Sequence, residues 1–162
     1  MKNEQIATYL NDHLSGSVVA LELLKNLESL HAGTSLEQLL AALRKEITAD
    51  RQELESLMSR LKITQSLTRK ATAWLAEKST EIKLQLDDPG NGALRLLETF
   101  EVLSLGIEGK RGMWMALAAA SESAASLRSV DYTRLVTRAE EQRKRVEVMR
   151  LETAKKALAD TE

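Results

Sequence analysis

Hydrophobic residues recur along this chain at alternating steps of three and four, the spacing that places them on one face of an α-helix. The pattern predicts five helices, at about 3–31, 35–61, 65–86, 93–120 and 132–159. No alternation with a period of two, which would indicate a strand, interrupts them. We therefore predict an all-α fold with more than about 70% helix, well above the share in an average globular protein.

The ends of these segments carry residues that stop or start helices. Gly33 follows the first helix and suits a left-handed C-terminal cap. Thr34 and Ser35 precede Glu37 and Gln38 by three residues, so either pair predicts a capping box for the second helix. The stretch 62–64 breaks the periodicity, and 87–92 stacks turn residues around the one proline. Asp131 is placed to cap the last helix.

Two polar residues interrupt the hydrophobic seams of the first hairpin. His13 and Asp50 each take a position that the spacing assigns to an apolar side chain. Counted from the turn at Gly33, they differ in height by about three residues, or roughly 4.5 Å. We expect them to contact each other directly or through one water, because a buried charge needs a partner. Such a pair serves either as a polar layer that fixes register or as a proton-handling or ligand-binding site.

The fourth segment carries a second set of polar residues, Glu101, Ser104, Glu108 and Arg111, at steps of three and four. Counted along the bundle, Glu108 and Arg111 fall near the height of His13. They therefore extend the polar layer or face solvent, and the pattern allows both.

Gly106, Gly109 and Gly112 repeat every third residue inside the same helix. Each glycine costs about 1 kcal/mol relative to alanine, so three together require a reason. Close packing of another backbone, for example at Gly16, is the interpretation we favour. A bound flat ligand or a helix kink would also explain them.

Helix lengths and order predict the topology. Four segments of about 27 to 29 residues form two antiparallel hairpins, and the shorter 65–86 segment lies between them. Together with the first-helix sequence Tyr9-Leu10-Asn11-Asp12-His13-Leu14, this arrangement resembles the ferritin-like four-helix bundle, in which a lengthwise crossover joins two hairpins. An up-and-down five-helix bundle is the alternative.

The resemblance to ferritin-like proteins does not extend to their iron centre. Those proteins carry Glu-x-x-His motifs, and neither His13 nor His31 has a glutamate three residues before it. Helical carboxylates are available but follow no ligand spacing: Glu22, Glu53, Glu101, Glu108 and Glu147. We expect no cofactor and no metal bound at either histidine.

Composition narrows the classes of partner and compartment. The net charge is −1, with 23 basic and 24 acidic residues interleaved, so no basic stripe for nucleic acid is present. Cysteine is absent, which excludes disulfides and thiolate chemistry. No signal peptide or apolar run of spanning length is visible. We predict one domain over 1–162, cytoplasmic and without membrane contact.

No catalytic motif emerges, so function is predicted from architecture. The fourth helix is apolar on more than one side, which favours a non-enzymatic protein acting through self-association, as a homodimer, or through a protein partner. A carboxylate-bridged iron or manganese oxidase or storage protein is one alternative. The other is a binder of a hydrophobic small molecule, suggested by Trp74 and Trp114 with Met113 and Met115.

Overall fold

The computed structural model describes residues 2–73, 76–77 and 92–159. Four long helices dominate it: α1 (Lys2–Leu30), α2 (Ser35–Arg60), α3 (Gly92–Ser121) and α4 (Tyr132–Ala159). A short 3-10 turn, Ala125–Leu127, connects α3 to α4. Helices make up 86% of this structure and it has no strands, which confirms the all-α prediction within the part of the chain described.

The third predicted helix is only partly within the described residues. Residues 63–68 are not helical, whereas 69–73 and 76–77 are. The predicted helix therefore begins about four residues later than the periodicity indicated. The rest of the 65–86 prediction and the loop predicted around Pro89 lie outside the described residues, apart from Gly92, which begins α3.

The turn between α1 and α2 forms at the predicted residues. Gly33 has φ +79°, the left-handed conformation that its lack of a Cβ permits. The capping box takes a different form from the one predicted. The Glu37 carboxylate accepts a hydrogen bond from the N–H of Gly33 at 2.7 Å, while the Thr34 hydroxyl donates to the carbonyl of His31.

A second left-handed residue ends α2 at the predicted break. Lys62 has φ 57°, unusual for a residue with a side chain. Its N–H donates to the carbonyl of Ser59 at 3.0 Å, and the N–H of Ile63 donates to that of Met58 at 2.9 Å. These two bonds satisfy carbonyls that the helix end would otherwise leave without a donor.

The chain beyond this break is held against α1 by side-chain hydrogen bonds. Asn11 accepts from the N–H of Ser66 at 2.7 Å and donates to the carbonyl of Thr64 at 3.1 Å. The hydroxyl of Ser15, a buried residue, accepts from the N–H of Thr68 at 2.9 Å. Residues 64–68 therefore run along α1 in the same direction as that helix.

The bundle has two hydrophobic clusters, one toward each end. The first joins the start of α1 and the end of α2 to the end of α3 and the start of α4, and it includes Leu10, Leu57, Met58, Trp114, Leu117 and Leu135. The second joins the opposite ends and includes Leu24, Leu27, Leu40, Phe100, Leu103 and Val146. A more polar level lies between the clusters.

These clusters fix the helix directions. α1 and α4 run one way, and α2 and α3 run the other. Consequently α2 ends and α3 begins at opposite ends of the bundle. Both the crossover arrangement and the alternating five-helix bundle require this relationship. No helix among the described residues is both long and apolar enough to cross a membrane.

Candidate functional site: a polar layer beside a glycine-lined cavity

Asp50 is the centre of the polar level between the two hydrophobic clusters. Asp50 is only 2% exposed and lies between the buried Ile47 and Leu54 on the same face of α2. Its Oδ1 accepts a hydrogen bond from the Nε of Arg138 at 2.6 Å, and its Oδ2 accepts one from Gln142 at 2.9 Å. Lys110 forms an ion pair with the same carboxylate. Three side chains from α3 and α4 thus converge on one buried α2 carboxylate.

Lys110 extends this network. Its Nζ donates both to Asp50 Oδ2 and to the side-chain carbonyl of Gln142. Burial lowers the pKa of Lys110, and the Asp50 carboxylate opposes that shift. Gln142 donates to Asp50 and accepts from Lys110, so it uses both ends of its amide.

Two further ion pairs place this layer within a ladder between α2 and α4. Arg145 pairs with Glu46 on one side of Asp50, and Arg134 pairs with Glu53 at 2.6 Å on the other. The hydrogen bond from Arg145 lowers the pKa of Glu46. Each step along α2 is matched by a step in the opposite direction along α4. The ladder therefore fixes the register of these antiparallel helices.

A cavity of about 210 Å³ lies beside the polar layer, between α1, α2 and α3. Apolar wall residues include Ala20, Ile47, Leu54, Ile107, Met113 and Trp114, and charged or polar ones are Asp12, His13, Ser17, Asp50, Arg51 and Lys110. Its exposed lining residues, Asp12 and Gly16 on α1 with Gly106 and Gly109 on α3, mark the mouth.

No other backbone packs closely against these glycines, so the interpretation favoured from the sequence is wrong. A Cβ built at Gly16, Gly106, Gly109 or Gly112 meets no atom within 4 Å. The first three line the cavity, whereas Gly112 is exposed and does not. The absence of side chains at Gly16, Gly106 and Gly109 leaves the space between α1 and α3 open.

His13 lies at the cavity but outside the hydrogen-bonded layer. Its ring packs edge-on against Tyr9, with 4.7 Å between the ring centroids. Burial lowers the pKa of His13, and the neighbouring Asp12 carboxylate opposes the shift. His13 and Asp50 line the same cavity, but Asp50 bonds to side chains of α3 and α4 and not directly to His13 among the described residues. The alternative that was predicted, a contact through one water, stays a prediction.

Trp114 closes the cavity at the first hydrophobic cluster. It is fully buried, and its indole Nε1 has no hydrogen-bond acceptor among the described residues. Buried indole N–H groups ordinarily find a partner. Trp114, a residue of the cavity wall, therefore has a buried donor that the described protein atoms leave unsatisfied.

Glu108 and Arg111 belong to a different network, along the outer seam of α3 and α4. Arg111 pairs with Glu108 at 2.8 Å, and Arg143 reaches the same carboxylate at 3.1 Å. Glu101 pairs with Arg150 at 3.4 Å farther along. The pairs made by Arg143 and Arg150 hold α4 against α3 without contacting Asp50. Of the two alternatives that the sequence left open for Glu108 and Arg111, the structure shows a partly exposed network separate from the polar layer.

The sequence held signals for the residues that the prediction missed. Lys110 occupies the seam of α3 in the series 103, 107, 110, 114 and 117, at the expected steps of four and three. Gln142 similarly lies on the buried stripe of α4. A search for every polar residue on a predicted seam would have found both. Arg138 sits beside the stripe, and no seam rule identifies it.

The metal alternative lacks a ligand set within the described ranges. No group of three or more His, Cys, Asp or Glu side chains there could hold an ion. His31 lies at the far end of α1, away from the cavity, and burial lowers its pKa as well.

Comparison with known proteins identifies no relative. The chain matches no family model, no curated protein and no solved structure.

Proposed function

We propose that this protein is a non-enzymatic binding protein that holds a compact hydrophobic molecule in the cavity between α1, α2 and α3. The single observation that carries the proposal is the open space at Gly16, Gly106 and Gly109, which line the cavity. Glycine weakens a helix interior, so its use where no neighbour requires it points to a need for space.

The size and lining of the cavity support a small organic ligand. An engineered cavity of about 150 Å³ in another protein binds benzene. The cavity here is about 210 Å³, which accommodates at least roughly eight non-hydrogen atoms by that comparison. Its mainly apolar walls with a few polar groups are typical of ligand pockets.

The test fills the mouth of the cavity and uses the third glycine as a control. Gly109→Leu places a side chain where the cavity opens, whereas Gly112→Leu adds the same side chain outside the lining. Binding of indole, 2-phenylethanol and phenylacetate is measured by NMR titration of backbone amides. We expect wild type and Gly112→Leu to bind at least one of them and Gly109→Leu to bind none. Equal shifts in all three proteins, or none in wild type, would refute the proposal.

Self-association is the second candidate function. Several large apolar side chains on α3 and α4 are exposed, among them Leu105 at 74% and Val148 at 64%. Covering such side chains in a homodimer would remove apolar surface from water. Light scattering coupled to size-exclusion chromatography tests this, and a monomer across all concentrations would exclude it.

For the topology, we propose the ferritin-like arrangement, in which the chain between α2 and α3 crosses the bundle lengthwise. The parallel course of residues 64–68 along α1 supports a lengthwise return of the chain, which the up-and-down bundle also requires, so helix lengths and order carry the preference. A crystal structure in which five helices alternate as equal neighbours would favour the up-and-down bundle instead.

A further inference from the structure

The polar layer beside the cavity has more positive than negative charge around Asp50. Among the described residues, Asp50 is the one carboxylate in direct contact with both Lys110 and Arg138. Glu46 and Glu53 are each paired with an arginine of α4, so they do not reduce the excess of positive charge around Asp50. In a partly desolvated site an uncompensated cation attracts an anion more strongly than it would in water.

The other charged groups that line the cavity do not reverse its preference for an anion. Arg51 pairs with Glu55 at 2.9 Å, so its charge is locally compensated. Asp12 is exposed at the mouth, where solvent screens its carboxylate. Of the two cations that line the cavity, Lys110 is therefore the better candidate, and its side chain is also the more buried, 15% exposed against 31% for Arg51.

Two residues of the cavity wall, Lys110 and Trp114, also have hydrogen-bond donors without an acceptor among the described residues. A lysine ammonium has three N–H donors, and Lys110 uses two of them, on Asp50 and Gln142. The indole Nε1 of Trp114 is a further buried donor without a described acceptor. In contrast, the Asp50 carboxylate already accepts from three side chains. The polar layer thus offers donors to a ligand, whereas the other lining carboxylate, Asp12, lies at the exposed mouth.

We propose that the ligand is a compact organic anion, an apolar ring or chain ending in one carboxylate, with that carboxylate bound by Nζ of Lys110. The apolar part occupies the space left by Gly16, Gly106 and Gly109. This inference rests on the proposed binding function and specifies the chemical class of the ligand.

Three molecules of nearly equal shape test the charge preference: phenylacetate, phenylacetamide and 2-phenylethylamine. Their dissociation constants are measured at neutral pH by calorimetry or NMR titration. We expect phenylacetate to bind wild type at least about tenfold tighter than the amide, as a charge-assisted hydrogen bond provides. The amine should bind more weakly than the amide. Equal affinity for all three would overturn the anion preference while leaving a cavity-binding function intact. Absence of binding by all three would remove both.

Lys110→Met tests the residue itself, because methionine keeps the length and apolar stem of lysine. The preference for phenylacetate over phenylacetamide should fall to about onefold in this variant, whereas the exposed Lys144→Met control should retain it. A preference that survives Lys110→Met would overturn the assignment. If that variant does not fold, the crystal structure of the wild-type phenylacetate complex decides. A carboxylate farther than about 4 Å from Nζ would contradict the proposal.

Discussion

Asp50 on α2 and Arg138 on α4 form an ion pair across the bundle, with Asp50 Oδ1 accepting from Arg138 Nε at 2.6 Å. They belong to different hairpins and lie 88 residues apart in the sequence. Sliding α4 by one turn would leave the Asp50 carboxylate without this partner and move Arg138 toward a hydrophobic cluster. Buried polar groups of this kind are best attested as devices that fix register.

The first prediction concerns the signs of glycine substitutions. Gly109→Ala and Gly112→Ala should each raise the free energy of unfolding by about 0.5 to 1 kcal/mol, because alanine favours the helix and its Cβ meets no atom there. Gly33→Ala should lower it by about 1 kcal/mol, since Gly33 has φ +79°. Urea denaturation measures all three.

Opposite outcomes would be informative. A loss of stability in Gly109→Ala would mean that a neighbour occupies the space at that position. Gly112→Ala distinguishes this from a general effect of alanine, because Gly112 does not line the cavity.

The second prediction concerns the attachment of residues 64–68 to α1. Asn11→Ala removes the acceptor of the Ser66 N–H and the donor to the Thr64 carbonyl. We expect trypsin to cleave after Arg69 or Lys70 several-fold faster in this variant, since cleavage requires local opening. Ser29→Ala is the matched control, because Ser29 bonds only to its own helix. Equal cleavage rates in both variants would show that the attachment does not hold this segment.

The sequence sufficed for the helices because their buried positions recur at a fixed spacing. The caps at Gly33 and Asp131 were also predictable from local chemistry, and Asp131 accepts from the N–H of Arg134 at 3.0 Å. The start of the third helix was less predictable from local chemistry. Ser66 and Thr68, which the periodicity assigned to this helix, instead donate their backbone N–H groups to Asn11 and Ser15 of α1. Such tertiary contacts override local periodicity.

Side-chain partners were harder to predict than helices. Matching heights suggested His13 for Asp50, but height does not specify which way a side chain points around its helix. Lys110 and Arg138 have long side chains that reach Asp50 from two other helices. Close packing at the glycines was predicted wrongly for a related reason. A missing side chain is equally consistent with close packing and with open space.

The third prediction is a pH dependence of stability due to His13. Because burial lowers its pKa, unfolded His13 binds a proton more readily than the folded residue does. The free energy of unfolding should therefore be unaffected by His13 above 6.5 and should fall as pH decreases below that value through the folded pKa. Denaturation between about pH 5.5 and 7 measures it, above the range in which ordinary carboxylates titrate.

His13→Gln should reduce this slope, because glutamine does not titrate. His31→Gln is the comparison, since burial also lowers the pKa of that histidine but it lies outside the cavity. NMR titration of the imidazole protons assigns the two pKa values directly. A folded pKa of His13 above 6.5 would show that Asp12 outweighs burial.

The last prediction concerns which partner is coupled to Asp50. Replacing Asp50 with leucine leaves both Lys110 and Arg138 without their carboxylate and should cost about 3 to 5 kcal/mol. Arg138→Met should cost less, because Asp50 retains Lys110 and Gln142.

A double-mutant cycle read by chemical denaturation separates the partners. The losses from Asp50→Leu and Arg138→Met should be non-additive by about 1 kcal/mol or more, because each variant alone removes the same ion pair. The cycle of Asp50→Leu with His13→Leu should be additive within about 0.5 kcal/mol, since the two residues share a cavity without a direct bond. Strong coupling of His13 to Asp50 would restore a bridging contact between them, through water or a bound ligand. Additivity of Asp50 with Arg138 would mean that this ion pair does not join the hairpins, and the register would then depend on the other two ion pairs of the ladder and on the hydrophobic clusters.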